Sequence, residues 1–145
     1  MKGFIFVVII VVFLTSLLFL FRTNSKVKNT ADEKVNITAS FTIITDRVTR
    51  SFKAGKYHNK SPDVFITSGD PSIVYVKKRG ITWNDFFKSL PMKLTKECLT
   101  TGDGETFCDG KSGTLMFYPN DIEDKDLLDK EIKQGDSILI KFTSS

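Results

Sequence analysis

The pattern of hydrophobic positions divides the chain into one unbroken apolar run and a longer region of mixed polarity. Residues 3–21 contain no ionisable side chain, and a helix of that length rises about 29 Å, close to the hydrocarbon thickness of a bilayer. The run exceeds the apolar core of a signal peptide, and no small-x-small cleavage pattern follows it. We therefore predict that residues 1–22 are a transmembrane signal anchor, held in the lipid bilayer through residues 3–21. A cleavable signal peptide is the alternative.

After the anchor, the pattern predicts a flexible stalk and one α+β domain over residues 35–145. Residues 23–34 are polar and charged and contain no aromatic side chain, a composition typical of a spacer without a core. Apolar and polar side chains alternate from Val35 to Ile43, which predicts a half-buried strand. Further strands are predicted at residues 48–52, 64–67, 73–76, 92–99, 107–108, 114–118 and 137–142.

One helix is predicted between these strands. Thr82 precedes Asp85 by three residues, which is the spacing of an N-cap and an acidic first turn. Four apolar side chains then recur at i, i+3, i+4 and i+7, and Pro91 follows them. This spacing is typical of a helix face that packs on a core. The four are Trp83, Phe86, Phe87 and Leu90.

The two cysteines flank a glycine-rich turn. Cys98 and Cys108 enclose Thr-Thr-Gly-Asp-Gly-Glu, and opposed positions on a hairpin lie within disulfide distance. A bridge implies an oxidising compartment, which predicts a single-pass membrane protein whose domain is extracytoplasmic. Two free thiols are the alternative, and because basic residues lie on both sides of the anchor, a cytosol-facing domain also stays open.

The net charge of +4 is unevenly distributed along the chain. Residues 35–97 carry eleven basic and five acidic side chains, whereas residues 98–145 carry five and ten. A basic middle suggests attraction to an acidic protein or an anionic surface polymer, while nucleic acid is not expected because no binding motif is present. The candidate contact surface consists of Arg47, Arg50, Lys53, Lys77, Lys78 and Arg79.

No catalytic residue, cofactor or metal site is predicted. Redox enzymes usually place a Cys-x-x-Cys pair at a helix N-terminus, but these cysteines are ten positions apart on predicted strands with acidic neighbours. His58 stands alone in a polar loop, and the acidic residues between Asp121 and Asp126 lack the spacing of a calcium loop. The sequons at Asn36 and Asn59 are too short to predict glycosylation.

The order hairpin, helix, strands and closing strand resembles the β-grasp fold of ubiquitin-like and sulfur-carrier proteins. The closing segment IKQGDSILI (132–140) carries much of this resemblance, and it implies a mixed sheet packed on one helix. The segment ITWNDFFKSLPMKLTKECLTTGDGETFCDG (81–110) is similar to membrane-anchored archaeal and bacterial proteins, some of which are labelled protein-disulfide isomerase.

These observations predict a membrane-anchored binding or scaffolding domain at the cell surface. The resemblance keeps one alternative open, a thiol–disulfide oxidoreductase that uses Cys98 and Cys108. Sulfur-carrier chemistry is not expected because the chain ends in Thr143-Ser144-Ser145 rather than in a Gly-Gly tail.

Overall fold

A computed structural model of the chain describes residues 33–110 and 112–145. The predicted anchor, residues 1–22, and nearly all of the predicted stalk lie outside these residues. The described part is an α+β domain with a mixed six-stranded sheet, a small antiparallel sheet and one short helix. Within this part, no helix is long and apolar enough to cross a membrane.

The larger sheet has a parallel pair of strands at its centre. Its order is β3-β4-β1-β9-β8, and β2 pairs with the end of β1. Strands β1 and β9 are parallel, and every other pair is antiparallel. The strands are β1 (Lys34–Thr45), β2 (Val48–Thr49), β3 (Val64–Phe65), β4 (Ile73–Lys78), β8 (Gly113–Pro119) and β9 (Ser137–Ser144).

The smaller sheet consists of β5 (Lys93–Leu94), β6 (Cys98–Thr100) and β7 (Thr106–Cys108), paired in that order. It follows helix α1 (Trp83–Ser89). Two short 3-10 turns, Gly55–Tyr57 and Leu127–Asp129, complete the described elements. In the second of these, Leu127 and Leu128 are buried.

Helix α1 covers one face of the larger sheet. Thr82 and Asp85 form a reciprocal capping box at its start, as the sequence predicts. All four side chains of the predicted stripe are buried, and the ring of Phe86 lies edge-on to Phe41 of β1, 5.1 Å between centroids. Because alternate residues of a strand face the same side, the buried Phe41 and Ile43 of β1 share this core with Ile140 of β9.

Three predicted strands are wrong in their extent. The strand predicted over residues 64–67 is only Val64–Phe65. The strand predicted over residues 48–52 is only Val48–Thr49, followed by one further bond from the Arg50 N–H to the Ile43 carbonyl. The single strand predicted over residues 92–99 is two strands separated by a tight turn, in which the Thr95 hydroxyl oxygen accepts a bond from the Cys98 N–H at 2.9 Å. Strand β1 also begins at Lys34, one residue before the predicted domain start.

Candidate functional site

Strands β6 and β7 form a hairpin that is closed by a disulfide between Cys98 and Cys108. The two cysteines face each other directly, with Cα atoms 4.1 Å apart. The neighbouring Asp109 N–H donates to the Glu97 carbonyl at 2.7 Å, so the cysteines occupy a non-hydrogen-bonded position, where side chains of opposite strands come closest. The predicted disulfide is confirmed, and no free cysteine is found among the described residues.

The disulfide hairpin is docked against the end of the larger sheet by rings and ion pairs. The ring of Phe107 contacts Phe142 at 5.2 Å between centroids, and the Arg50 guanidinium lies 5.0 Å over the Phe107 ring. Arg50 also pairs with Glu105 of the hairpin turn and donates to the buried Thr45 hydroxyl at 2.5 Å. Arg50, in the segment after β2, therefore links β1 to the hairpin.

A second ion pair and a close backbone approach hold the tip of the hairpin. The Lys56 ammonium contacts Asp103 at 2.5 Å, and this hydrogen bond raises the pKa of Lys56 above its usual value. At Gly102, a Cβ would overlap the Tyr57 hydroxyl and lie 2.8 Å from the Pro91 carbonyl oxygen. Only glycine allows this contact, so the hairpin tip is fixed against the Gly55–Tyr57 turn.

A cavity of about 250 Å³ lies between the hairpin tip and the segment that follows β2. We call it the β2 cleft. Its floor is apolar and its rim is polar, because core side chains reach it from β1 and β6 while hydroxyl and charged groups surround the opening. Floor and rim are formed by Ile43, Val48, Thr49, Arg50, Ser51, Phe52, Tyr57, Met92, Leu99, Thr101, Gly102 and Asp103.

The turn between β1 and β2 has an unusual backbone. Asp46 and Arg47 both have positive φ, 49° and 70°, as the two central residues of a type I′ turn require. The Asp46 carboxylate accepts bonds from the Ser144 hydroxyl and N–H at 2.5 and 2.8 Å. These bonds hold the pKa of Asp46 below its usual value and tie the turn to the end of β9.

The six residues of the predicted contact surface are not brought together. Lys78 pairs with Lys34 in register at the start of β1, whereas Arg47 follows Thr45 at its end. Since a strand rises about 3.3 Å per residue, Lys78 and Arg47, at the two ends, lie about 36 Å apart along β1. One group is Lys77, Lys78 and Arg79, and the other is Arg47, Arg50 and Lys53.

Most of these basic side chains already have partners. Lys77 donates to Asn36 and Arg79 pairs with Glu33 at 3.0 Å, as Arg50 does with Glu105. Lys78 also interacts with a neighbour. In contrast, no ion pair of Arg47 or Lys53 is found among residues 33–110 and 112–145. We call residues 46–53, which contain both, the basic tip.

The sequence did not point to several residues of the β2 cleft. Tyr57, Met92 and Leu99 lie far apart in the chain, and each resembles an ordinary core residue in its local pattern. His58 differs from expectation in the same region, because it is half-buried and its Nε2 lies 3.0 Å from the Phe52 carbonyl oxygen. This contact fixes the segment that carries Phe52 into the cleft.

The arrangement offers apolar contact and charge rather than a reacting group. No cluster of three or more histidine, cysteine or acidic residues that could hold a metal ion is found in the described part of the chain. The sole histidine faces a backbone carbonyl rather than the cysteines. No protein-family model, curated protein or solved structure matches the chain.

Proposed function

We propose that this chain is a membrane-anchored, extracytoplasmic binding module whose β2 cleft receives a single apolar side chain of a partner. The observation that carries the proposal is the cleft itself, which has an apolar floor and is closed on one side by the disulfide-bonded hairpin. Anchorage through residues 3–21 and the extracytoplasmic location are part of the same proposal. An acidic protein or an anionic surface polymer is the class of partner that the basic tip favours.

The size of the cleft argues for a side chain rather than a cofactor. Sites for small molecules usually measure about 300–1,000 Å³, and this cavity of about 250 Å³ is smaller. Benzene fits an apolar cavity of about 150 Å³, so one aromatic or branched aliphatic group is a suitable occupant. Arg47 and Lys53 at the basic tip, for which no ion pair is found among the described residues, favour acidic side chains around that group.

The position of the disulfide favours a structural bond over a redox site. Cys98 and Cys108 lie on adjacent strands, where neither is close to a helix N-terminus that would stabilise a thiolate. Asp109 follows Cys108, and Glu97 precedes Cys98. Acidic neighbours disfavour a thiolate, so we propose that the bond holds the cleft wall in place.

We also propose that the domain is a variant of the β-grasp fold. The support is its sheet order, with parallel β1 and β9 at the centre, antiparallel β4 and β8 outside them and α1 between β4 and β8 in the chain. The small sheet and the two-residue β2 would be additions to that frame. In this arrangement the β2 cleft lies between the β-grasp core and the two added parts, the small sheet and β2.

The binding proposal can be tested through the methionine methyl groups of the full chain in detergent. Met92 lines the β2 cleft, whereas Met116 is in β8, next to the Tyr118 hydroxyl at 3.1 Å from its sulfur. With methyl-labelled methionine, titration with indole should shift the Met92 resonance in a saturable way and leave Met116 unchanged. Equal shifts at both methyls, or none at Met92, would contradict the proposal.

A matched pair of glycine substitutions provides the control. Gly102→Ala should displace the hairpin tip from Tyr57 and abolish the saturable Met92 response. Gly55→Ala, in the neighbouring turn, introduces a Cβ with nothing within 4 Å, so it should leave the response intact. If both variants respond as the wild type does, the hairpin tip does not form the cleft wall.

A further inference from the structure

Two loops of the domain each expose one large hydrophobic side chain. Val48 is 57% exposed and Ile122 is 73% exposed, and within the described residues no other large hydrophobic side chain is this open to solvent. Val48 lies in the basic tip and lines the β2 cleft. Ile122 lies in residues 120–124, which we call the acidic tip. Single exposed aliphatic side chains are common, so their surroundings decide what they can bind.

The charges beside the two exposed side chains are opposite in sign and lack partners. Arg47 and Lys53 accompany Val48, and Asp121 and Glu123 flank Ile122. No side-chain hydrogen bond or ion pair of these four charged residues is found within residues 33–110 and 112–145. Asp121 and Glu123 are adjacent to Ile122, whereas Arg47 and Lys53 line two other hollows of the basic tip rather than the β2 cleft itself. The two tips therefore carry charges of opposite sign beside one exposed apolar group each.

Two acidic side chains of the tips are held by bonds within the domain. At the basic tip, Asp46 is held by Ser144. At the acidic tip, Asp124 pairs with Lys130, which lowers the pKa of the Asp124 carboxyl. Asp46 keeps its negative charge, because its partner Ser144 is neutral, and the exposed Lys141 lies in the same hollow as Asp46 and Arg47. The basic tip together with Lys141 thus has a net positive charge, and Asp121 and Glu123 leave the acidic tip with a net negative charge.

Both tips contain two consecutive residues in the left-handed backbone conformation. Asp46 and Arg47 are consecutive residues with positive φ, and so are Asn120 and Asp121, at 48° and 67°. Left-handed conformation disfavours residues with a Cβ, and glycine would remove that cost at either turn. Asparagine and aspartate tolerate this conformation better than other residues with a Cβ, so among the four residues Arg47 bears the largest cost.

From these observations we propose that the chain associates with a second copy of itself, with the acidic tip of one molecule bound in the β2 cleft of the next. Ile122 would enter the cleft beside Val48, and Asp121 and Glu123 would face the basic tip of the other copy. The proposal rests on the proposed function, because it names the occupant of the same cleft. A branched aliphatic side chain suits a cavity of about 250 Å³.

Such a contact is head-to-tail, because each molecule uses two different surfaces. Heterologous contacts of this kind extend into chains or rings rather than stopping at a dimer. The positions of the two tips can be compared along β1. Asn120 lies at the level of Ser137 in β9, which pairs with Ser40 of β1, and Val48 pairs with Thr45. The tips are therefore offset by five strand residues, about 17 Å.

That offset is compatible with anchoring in one membrane. Eleven residues, 22–32, separate the apolar run from the first described residue. They can extend to at most about 37 Å, which exceeds the offset between the tips. Confinement to a membrane also raises the effective concentration of the partners, so a weak contact suffices.

The test measures self-association of the full chain in detergent by sedimentation velocity, with two variants. Ile122→Ser alters the acidic tip and Val48→Asp alters the basic tip, both at exposed positions. We expect each variant alone to associate about tenfold or more weakly than the wild type, because a buried apolar contact is lost or a charge is placed at the cleft. The buried Trp83 should report unchanged folding by its fluorescence.

Mixing the two variants gives the decisive result. Each retains one intact tip, so an equimolar mixture should form a dimer that cannot extend, whereas the wild type forms larger assemblies. Added salt should weaken this dimer because exposed charges are screened beyond about 10 Å at 0.1 M salt. Association of either variant at wild-type strength, or a mixture that stays monomeric, would overturn the proposal and would indicate contact through other surfaces such as residues 3–21.

This outcome is separable from failure of the proposed function. A wild-type chain that stays monomeric, while its Met92 methyl still responds to indole, would overturn self-association and leave the binding cleft in place. If Met92 does not respond, the proposed function fails independently of the oligomeric state.

Discussion

At the residue scale, the most informative position is Arg47, whose backbone adopts a left-handed conformation that a residue with a Cβ disfavours. Arg47 has a φ of 70°, and its guanidinium has no ion pair within the described residues. A left-handed conformation costs about 1–2 kcal/mol for a residue with a Cβ. Within the described residues, no ion pair or side-chain hydrogen bond of Arg47 offsets this cost to the β1–β2 turn, which supports a role in binding.

Substitution of this residue separates strain from charge. Arg47→Gly should raise the free energy of unfolding by up to about 1 kcal/mol, because glycine adopts this φ without a Cβ clash, although its greater freedom in the unfolded chain reduces the gain. Urea denaturation of the full chain can be followed through the fluorescence of Trp83, the sole tryptophan. Arg47→Ala is the matched control, since it removes the charge and keeps the Cβ. An equal gain in both variants would show that charge, not strain, destabilises the turn.

At the scale of elements, the disulfide hairpin is the part whose stability decides the shape of the cleft. It packs against the rest of the domain through Phe107, Arg50 and the buried Leu99, and its own strands have only three residues each. A two-stranded hairpin of this length is not stable by itself in water. We therefore expect the covalent bond to add to these contacts in keeping the cleft wall ordered.

Removal of the disulfide should destabilise the domain measurably. In the loop-entropy model, a bridge that encloses about eleven residues contributes roughly 2–3 kcal/mol. We expect the double variant Cys98→Ser, Cys108→Ser to unfold about 10 °C or more below the wild type in a thermal scan. Reduction of the wild type should lower its Tm by a similar amount.

A neighbouring pair on the same strands serves as the control for this experiment. The Thr100 and Thr106 hydroxyl oxygens lie 3.1 Å apart, and a cross-strand pair of this kind contributes about 0.2–1 kcal/mol. Substitution of both by alanine should therefore cost much less than loss of the disulfide. Insulin reduction by the wild type that disappears in Cys98→Ser would instead support the oxidoreductase alternative.

The elements that the sequence predicts well are those with local signals. Helix α1 is specified by Thr82, Asp85 and an aromatic stripe within nine residues, and the β6–β7 hairpin by a glycine-rich turn between its cysteines. The β2 cleft has no such signal. It depends on the two-residue length of β2 and on the close approach of Gly102 to Tyr57, both of which follow from long-range packing rather than from periodicity.

At the scale of the whole molecule, folding neutralises much of the uneven charge seen along the sequence. Lysine and arginine residues of the basic middle pair with acidic residues of the C-terminal part, as in Arg50–Glu105, Lys56–Asp103 and Lys96–Asp126. The last contact, together with a bond to Asp129, raises the pKa of Lys96 strongly. A charge count by segment therefore overstates the field of the folded domain, and the unpaired residues at the two tips are the better guide to binding.

The direction of β1 places the β2 cleft at the end of the domain opposite its first described residues. Lys34 at the start of β1 is close in sequence to the apolar run, whereas Arg47 and the β2 cleft lie at the other end of the strand. Parallel pairing with β9 places the C-terminus at that same end, because Thr45 is opposite Phe142. The cleft and the C-terminus therefore lie at the same end of the domain, opposite Lys34.

The proposed membrane topology, with residue 2 inside and the domain outside, can be tested with single engineered cysteines and a membrane-impermeant maleimide on intact cells. Ser145→Cys lies at the exposed C-terminus and should be labelled without permeabilisation. Lys2→Cys should be labelled only after the membrane is opened, because it precedes the apolar run. Cys98 and Cys108 give no background, since both are in the disulfide. Labelling in the reverse order would place the domain in the cytosol, and a mature chain that lacks residue 2 would show a cleaved signal peptide instead of an anchor.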